Sequence, residues 1–224
     1  MHRVAVIGLG RFGTQLARSL GKSNIHVIAI DRTPQLINAI KDDVDAAVRL
    51  DSTDEMALAS QELDKVDVAV VAIGENFEAS LLTTVLLKKL GVPRIICRAQ
   101  TTFHSEIFQQ IGADEVIQPE LHAGEHLARR LANPHLKDIF VLAEGYTIIE
   151  LEAPATFHNQ TLADLHLRAK YNVNLVAIRK RPAGDNLDEE TIISVPRPDD
   201  VIEASDVLVV VGDNDALAQL PMSS

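Results

Sequence analysis

A glycine-rich turn near the start of the chain is the strongest candidate for chemistry. Gly8, Gly10 and Gly13 match the spacing G-x-G-x-x-G, directly after an apolar segment and before a segment with helical periodicity. In this setting the first glycine permits a tight turn, the second lets a phosphate approach the backbone, and the third lets helix and strand pack closely. Free backbone N–H groups and the positive end of the helix dipole would hold the phosphate. The turn therefore predicts a phosphate-binding site.

An acidic residue follows at the distance expected for a ribose ligand. Asp31 ends the second apolar segment, 18 residues after Gly13. A carboxylate there accepts hydrogen bonds from both ribose hydroxyls and repels a 2′-phosphate, which disfavours NADP. Arg11 either binds the phosphates as a bidentate donor or is a surface residue of the first helical turn. The motif does not choose between NAD, ATP and ADP, because all three share adenosine and phosphate.

The other residues that could carry chemistry give weaker signals. Cys97, the single cysteine, lies in an apolar run, which favours a small buried side chain over a nucleophile. His122 and His126 are four residues apart, but no third ligand is evident near them, so a solvated helix face is favoured over a metal site. No Gly-x-Ser-x-Gly motif or Cys/His pairing supports hydrolysis. We therefore expect a protein that is not an enzyme.

Alternating strand-like and helix-like segments position these residues. Six short apolar runs predict strands that are covered on both faces. Thr33-Pro34 and Ser52-Thr53-Asp54 are helix start signals, and Gly91 and Gly112 are stop signals. The pattern predicts an α/β fold with a Rossmann-type doubly wound parallel sheet and a nucleotide crevice beside the first strand. The predicted strands are 3–7, 26–30, 46–50, 66–73, 94–98 and 115–117, and the predicted helices are 12–22, 34–41, 54–63, 75–90, 101–111 and 120–131.

A second, smaller α+β domain is predicted after this pattern ends. Asn133-Pro134-His135 interrupts the last helical segment. The remainder is richer in strand-like runs, with a turn at 182–185. We predict domains at 1–133 and 134–224, the second beginning with a crossover segment. Its expected strands are 147–151, 173–179, 191–195 and 207–211, and its expected helices are 162–170 and 215–220.

The composition excludes several classes of protein. The net charge of −11 opposes broad electrostatic binding to DNA or RNA, so no nucleic-acid partner is expected. No apolar stretch approaches the roughly 20 residues that span a bilayer, and no signal peptide is visible. One cysteine rules out a disulfide framework. We expect a cytoplasmic protein.

Seven short segments along the chain share their sequence and order with one known family: 8–13, 29–31, 71–76, 83–88, 111–114, 167–171 and 175–178. With these segments the chain resembles the RCK/KTN domain family (TrkA-N plus TrkA-C). This family supplies the cytosolic nucleotide-binding module of Ktr and Trk potassium transporters and of some potassium channels. The likeness extends over nearly the whole chain and is strongest to the free-standing regulatory subunits of Ktr transporters.

The resemblance implies a nucleotide-sensing regulatory subunit that gates a potassium transporter or channel. Homodimers would assemble into an octameric ring on a membrane-embedded potassium-translocating subunit, at the inner face of the membrane. An adenine nucleotide, either ATP/ADP or NAD(H), would change the shape of the ring. A divalent cation, Mg²⁺ or Ca²⁺, would join the phosphates, and cyclic di-AMP is a further candidate ligand of the second domain. The alternatives are an NAD-dependent oxidoreductase, which lacks a clear catalytic acid or base in the acidic C-terminal part, and a stand-alone nucleotide sensor.

The resemblance also assigns roles to single residues. The phosphate turn and the ribose acid are those described above, and the loop after the third strand lies near the adenine. Glu120 matches an acid that helps to hold a divalent cation in some relatives. The residues expected to bind the nucleotide are Gly8, Gly10, Arg11, Phe12, Gly13, Asp31, Arg32, Asp51, Ser52, Thr53, Ala72, Ile73, Gly74 and Arg98.

Overall fold

The computed structural model describes residues 2–132, 136–180 and 191–221, with residues 136–138 described by their backbone alone. The chain divides into two compact units after His122, inside a helix that begins at Pro119. The boundary expected at 133/134 lies at the other end of that helix and stays a prediction. The turn expected at 182–185 lies outside the described residues.

The first unit is built on a six-stranded parallel sheet in the order β3-β2-β1-β4-β5-β6. Its central strands are runs of Val, Ile and Ala that are buried along nearly their whole length, as expected for strands covered on both faces. The predicted doubly wound sheet is confirmed. The strands are β1 (Arg3–Ile7), β2 (His26–Asp31), β3 (Ala46–Arg49), β4 (Val68–Val71), β5 (Ile95–Arg98) and β6 (Glu115–Ile117).

Helices connect consecutive strands of this sheet. Asp54, Asn76 and Thr101 cap three of them, since each side-chain oxygen accepts backbone N–H groups of the first turn. The helix predicted at 54–63 ends earlier, because Glu62 takes a left-handed φ of +52° before a short 3-10 helix, Leu63–Lys65. The helices are α1 (Arg11–Lys22), α2 (Pro34–Ile40), α3 (Glu55–Ala59), α4 (Phe77–Lys89), α5 (Thr102–Gln110) and α6 (Pro119–Ala132).

The amino ends of the strands form one edge of the sheet, called the amino edge below. Asp45, Asp67 and Asp114 stand immediately before β3, β4 and β6. Each accepts a hydrogen bond from a backbone N–H at the start of the neighbouring strand, at 2.8, 2.7 and 2.8 Å. These bonds satisfy N–H groups that the parallel ladder leaves without a partner at its end. The amino edge is thus closed by aspartates.

The second unit contains a five-stranded antiparallel sheet in the order β10-β9-β11-β8-β7. Its core includes Ile149, Ile178 and Leu208, and its short helices pack around this cluster. The helix predicted at 162–170 is two helices, because His166 takes a left-handed φ of +47° between them. The elements are β7 (Leu136–Ala143), β8 (Tyr146–Glu152), α7 (Leu162–Leu165), α8 (Leu167–Tyr171), β9 (Asn174–Lys180), β10 (Thr191–Ile193), β11 (Val207–Asp213) and α9 (Asn214–Ala218).

Helix α4 is more apolar on average than α1, α5 and α6. Leu87 on this helix is fully buried against the sheet, whereas Leu82 and Val85 are 42% and 43% exposed. Leu82 and Val85 thus form a narrow, partly exposed apolar stripe on the outer face of α4. Within the part of the chain that the structure describes, no helix has the length and apolar character needed to cross a membrane.

Candidate functional site

The glycine turn joins β1 to α1 and is as tight as its sequence predicts. Gly8 has φ +94°, and a Cβ atom there would lie 2.9 Å from the backbone nitrogen of Ile73. A Cβ atom at Gly13 would lie 1.9 Å from the carbonyl oxygen of Gly8, so helix and strand touch at this point. At Gly10, by contrast, an added Cβ would meet open space. The first and third glycines therefore serve packing, and the second borders the open side of the turn.

The amino end of α1 presents unused backbone donors beside Gly10. The backbone N–H of Thr14 donates to the carbonyl oxygen of Gly10 at 2.9 Å and makes the first bond of the helix. The N–H groups of residues 11–13 precede this bond, and a helix provides no internal acceptor for them. Together with the positive end of the helix dipole, they suit an anion such as phosphate.

Two hydrogen bonds from backbone N–H groups hold the Asp31 side chain in place at the end of β2. Its Oδ2 accepts the N–H of Leu9 at 2.7 Å, and its Oδ1 accepts the N–H of Thr33 at 2.8 Å. An ionised carboxylate offers about four acceptor positions, so each oxygen can still accept a ribose hydroxyl. The sequence predicted the ribose role alone. The structure adds a second role, because Asp31 also holds the glycine turn through Leu9.

These residues surround a crevice at the opposite edge of the sheet, where the strands end, called the carboxyl edge below. The crevice has a volume of about 760 Å³, within the range usual for small-molecule sites. Gly13 and Thr53 were also expected in the site but do not line the crevice. The expected residues that line it are Gly8, Gly10, Arg11, Phe12, Asp31, Arg32, Asp51, Ser52, Ala72, Ile73, Gly74, Arg98 and Glu120.

The loop after β3 forms one wall of the crevice. Thr53 donates to Oδ1 of Asp51 through its hydroxyl at 2.7 Å and through its backbone N–H at 3.0 Å. These bonds, with the charge of Arg32, hold the pKa of Asp51 below its ordinary value. Ser52 is buried, and its Oγ lies 2.8 Å from Oγ1 of Thr83 on α4. Thus Asp51 faces the crevice as a carboxylate, Ser52 ties the loop to α4, and Thr53 orients Asp51.

Arg98 and Glu120 form an ion pair at the other side of the crevice. A guanidinium nitrogen of Arg98 donates to Oε1 of Glu120. The Arg98 side chain is 16% exposed, and its guanidinium carbon lies 5.9 Å from the ring centre of Phe12. The pKa of Glu120 is lowered by its own backbone N–H, by Arg98 and by the charge of Arg11. The family resemblance assigned Arg98 to the nucleotide site and Glu120 to a cation at the phosphates, but it did not predict that the two residues pair.

The donor set around Glu120 bears on the expected divalent cation. Among the described residues, no group of three or more His, Cys, Asp or Glu side chains could hold a metal ion. Glu120 instead shares its surroundings with the positive charges of Arg98 and Arg11. A cation at this carboxylate would therefore depend on phosphate oxygens and water for its remaining ligands, as Mg²⁺ commonly does.

Cys97 has the structural role that its sequence favours. The side chain is fully buried, and burial raises the pKa of its thiol to about 11. Its sulfur lies 3.2 Å from Oγ1 of Thr84 on α4. A buried thiol with a raised pKa is a poor nucleophile, so Cys97 fills space between β5 and α4.

Several crevice residues were not predicted from the sequence. Leu36 on α2 and Leu50 after β3 supply apolar surface near Asp31, and Gln100 follows β5. Gln100 could have been found by the rule that polar residues just after parallel strands share one edge of the sheet. Leu36 and Leu50 carry no such signal, because apolar residues at those positions equally suit the core. The other crevice-lining residues that the sequence did not predict are Ile7, Ile30, Thr33, Glu75, Asn76 and Ala79.

Two family models match the chain and divide it as its architecture does. The TrkA-N domain matches residues 4–119, which include the parallel sheet apart from Arg3 and every crevice-lining residue apart from Glu120. The TrkA-C domain matches residues 146–221.

The chain belongs to the TrkA-N/TrkA-C family. Two relatives in this family are the Ktr system potassium uptake proteins C and A of Bacillus subtilis (strain 168). They are 38% and 36% identical to the chain over 208 residues, which cover 93% of the chain and 90% of each relative. The family likeness therefore extends through both units.

A solved structure shares the same fold at lower sequence identity. The GsuK channel bound to NAD matches 100% of this chain and 39% of its own, with a TM-score of 0.62 and 15% identity. At that identity the match supports the family fold in both units and nothing finer.

Proposed function

We propose that this member of the TrkA-N/TrkA-C family is a nucleotide-sensing regulatory subunit of a potassium transporter. The observation that carries the proposal is the crevice at the carboxyl edge, where the α1 amino end and Asp31 lie on one opening. Ligands of doubly wound sheets bind at this edge. The Ktr potassium uptake proteins of Bacillus subtilis, related over 93% of the chain, supply the biological setting.

The proposed ligand is an adenine nucleotide, ATP/ADP or NAD(H). Backbone donors at residues 11–13 suit its phosphates, Asp31 suits its ribose, and Leu36 and Leu50 offer apolar surface for its base. The family fold is able to carry such a ligand, since the GsuK channel was solved with NAD bound. Cyclic di-AMP binding by the second unit remains a prediction from family resemblance.

Sensing requires a ligand that favours one shape of the assembly over another. A ligand with equal affinity for two shapes shifts nothing, so ATP and ADP must differ in their contacts. They differ at the γ-phosphate, and Arg11 is the exposed cation beside the glycine turn. We assign the discrimination to Arg11, with Glu120 joining through a divalent cation, because a bare carboxylate repels phosphate. The protein takes no catalytic part in this scheme.

The proposed assembly is a homodimer that builds an octameric ring. The exposed stripe of Leu82 and Val85 on α4 is one surface that a second copy would cover. The ring would dock on a membrane-embedded potassium-translocating subunit at the cytoplasmic face. Light scattering should then give a mass above that of the 24.4 kDa chain at micromolar concentration.

Co-purification tests the function directly. The tagged full-length chain should retain a potassium-translocating membrane subunit from detergent extracts, and exchange of ATP for ADP should change the transport rate of that complex. The Asp31→Asn variant is the binding-deficient comparison, and Asp114→Asn, altered at the amino edge, is the matched control. Transport that is identical with ATP, with ADP and without nucleotide would contradict the proposal. Steady turnover of NADH by the isolated chain would favour an oxidoreductase instead.

A further inference from the structure

The Arg98 side chain crosses the crevice from β5 towards α1. A Cβ atom added at Gly74 would lie only 2.0 Å from Nη1 of Arg98, so the guanidinium rests on the backbone of Gly74. Beyond Gly74 it approaches the ring of Phe12 at 5.9 Å and pairs with Glu120. The side chain thus spans from the end of β5 over the end of β4 to the first turn of α1.

The position of Arg98 matters for ligands with two nucleotide halves. In a doubly wound sheet a dinucleotide lies across the carboxyl edge, with its pyrophosphate at the glycine turn and one nucleotide on each half of the sheet. The adenosine half lies on the side of β2 and β3, where Asp31 and Asp51 stand. The second half must pass the ends of β4 and β5, and Arg98 lies on that path.

Displacing Arg98 carries a cost in free energy. The guanidinium would lose its ion pair with Glu120 and its packing on Phe12 and Gly74. Because only 16% of the Arg98 side chain is exposed, its packing on Phe12 and Gly74 is shielded from water, whereas its ion-pair partner Glu120 is 65% exposed and contributes less. A mononucleotide meets no such cost, since its phosphates end near the amino end of α1.

We infer that Arg98 is a specificity-determining residue that makes this crevice favour adenine mononucleotides over dinucleotides. The inference rests on the proposed nucleotide site and names the ligand class of that site. The competing role for Arg98 is that of a simple phosphate ligand, for which a guanidinium is well suited. The two roles predict opposite changes in dinucleotide affinity when the side chain is removed.

Titration calorimetry with AMP, ADP and NADH distinguishes these roles, using the full chain without added divalent cation. The wild-type protein should bind ADP about tenfold more tightly than NADH, a difference of about 1.4 kcal/mol. Arg98→Ala should tighten NADH binding about fivefold or more and leave AMP affinity within about twofold. Arg94→Ala is the matched control, because Arg94 precedes the same strand at the amino edge and pairs with Glu115 at 2.6 Å. It should leave all three affinities unchanged.

A second variant guards against a folding defect in Arg98→Ala. Glu120 is 65% exposed, so Glu120→Gln should fold, release Arg98 and tighten NADH binding by a smaller factor. Weaker or unchanged NADH binding in both variants would overturn the inference and leave the nucleotide site intact, provided that ADP still binds. Failure of the wild-type protein to bind any of the three ligands would overturn the proposed function together with the inference.

Discussion

Aspartates at the two edges of the parallel sheet have different roles. At the amino edge, Asp45, Asp67 and Asp114 each accept a backbone N–H from the neighbouring strand. At the carboxyl edge, Asp31 accepts two backbone N–H groups in the same way, yet it also lines the crevice. Neither the residue type nor the hydrogen bonds to the backbone therefore distinguish an aspartate that faces the crevice from one that only closes the sheet. What matters is the edge on which it lies.

The helices explain why one edge suits an anion and the other does not. Each helix that returns over a parallel sheet begins at the carboxyl edge and ends at the amino edge, so positive dipole ends gather around the crevice. The amino edge receives helix carboxyl ends, and α1 and α4 carry Lys22 and Lys88 in their last turns. Lys88 lies 3.7 Å from Asp114. At the amino edge, Lys88 thus offsets the charge of Asp114, whereas at the carboxyl edge the amino end of α1 keeps backbone donors for a ligand.

The largest effect is expected from Asp31→Asn. The ribose loses a charged acceptor, and hydrogen bonds to charged groups contribute about 1.5–3 kcal/mol, so ADP affinity should fall by about 10- to 100-fold. Asparagine is preferred to alanine because its oxygen can still accept one of the backbone N–H groups that Asp31 holds. Calorimetry with ADP measures the change.

Asp114→Asn is the matched change at the amino edge. It alters a carboxylate that accepts one backbone N–H at 2.8 Å, and ADP affinity should stay within about twofold of wild type. Equal losses of affinity in the two variants would remove the distinction between the edges.

A smaller effect, confined to one ligand, is expected from Arg11→Ala. Arg11 is the first residue of α1 and lines the crevice. Its loss should weaken ATP by about tenfold, ADP less, and adenosine not at all. If the affinities for all three ligands fall equally, Arg11 supports the fold of the turn instead.

Added Mg²⁺ should strengthen ATP binding in the wild-type protein and not in Glu120→Gln.

The smallest expected effect concerns stability in acid. The backbone N–H of Val27 lowers the pKa of Asp45, and the backbone N–H of Arg3 lowers that of Asp67. A lowered folded-state pKa stabilises the protein above the unfolded value of about 3.9, and this contribution is lost as pH falls through the folded-state pKa. Urea midpoints measured from about pH 5 to about pH 3 should therefore fall less steeply in the Asp45→Asn, Asp67→Asn double variant. ADP affinity at neutral pH should not change.

Much of the first unit follows from local sequence signals. The β1–turn–α1 segment has an apolar strand, three glycines and a helical repeat, and these agree with the observed Gly8 and Gly13 contacts. Interior strands such as β4 are short continuous apolar runs, which are typical of buried parallel strands. Local sequence preferences and long-range packing favour the same structure here, so the sequence was sufficient to predict these elements.

Other features depend on contacts that no local pattern encodes. Glu62 and His166 take left-handed conformations that interrupt predicted helices, and neither residue type predicts such a conformation. The pairing of Arg98 with Glu120 joins residues on different elements, 22 positions apart, and requires knowledge of the strand order. The second role of Asp31, as acceptor for Leu9, likewise appears only when β1 and β2 are aligned.

Hydrogen–deuterium exchange with and without ADP tests the comparison of the two edges most directly. At saturating ADP, we expect slower exchange in peptides that contain residues 8–14, 31–33 and 72–76, which border the crevice. Peptides around Asp45, Asp67 and Asp114 should exchange at the same rate in both states. No protection at the carboxyl edge, or equal protection at both edges, would contradict the assignment of nucleotide binding to the crevice.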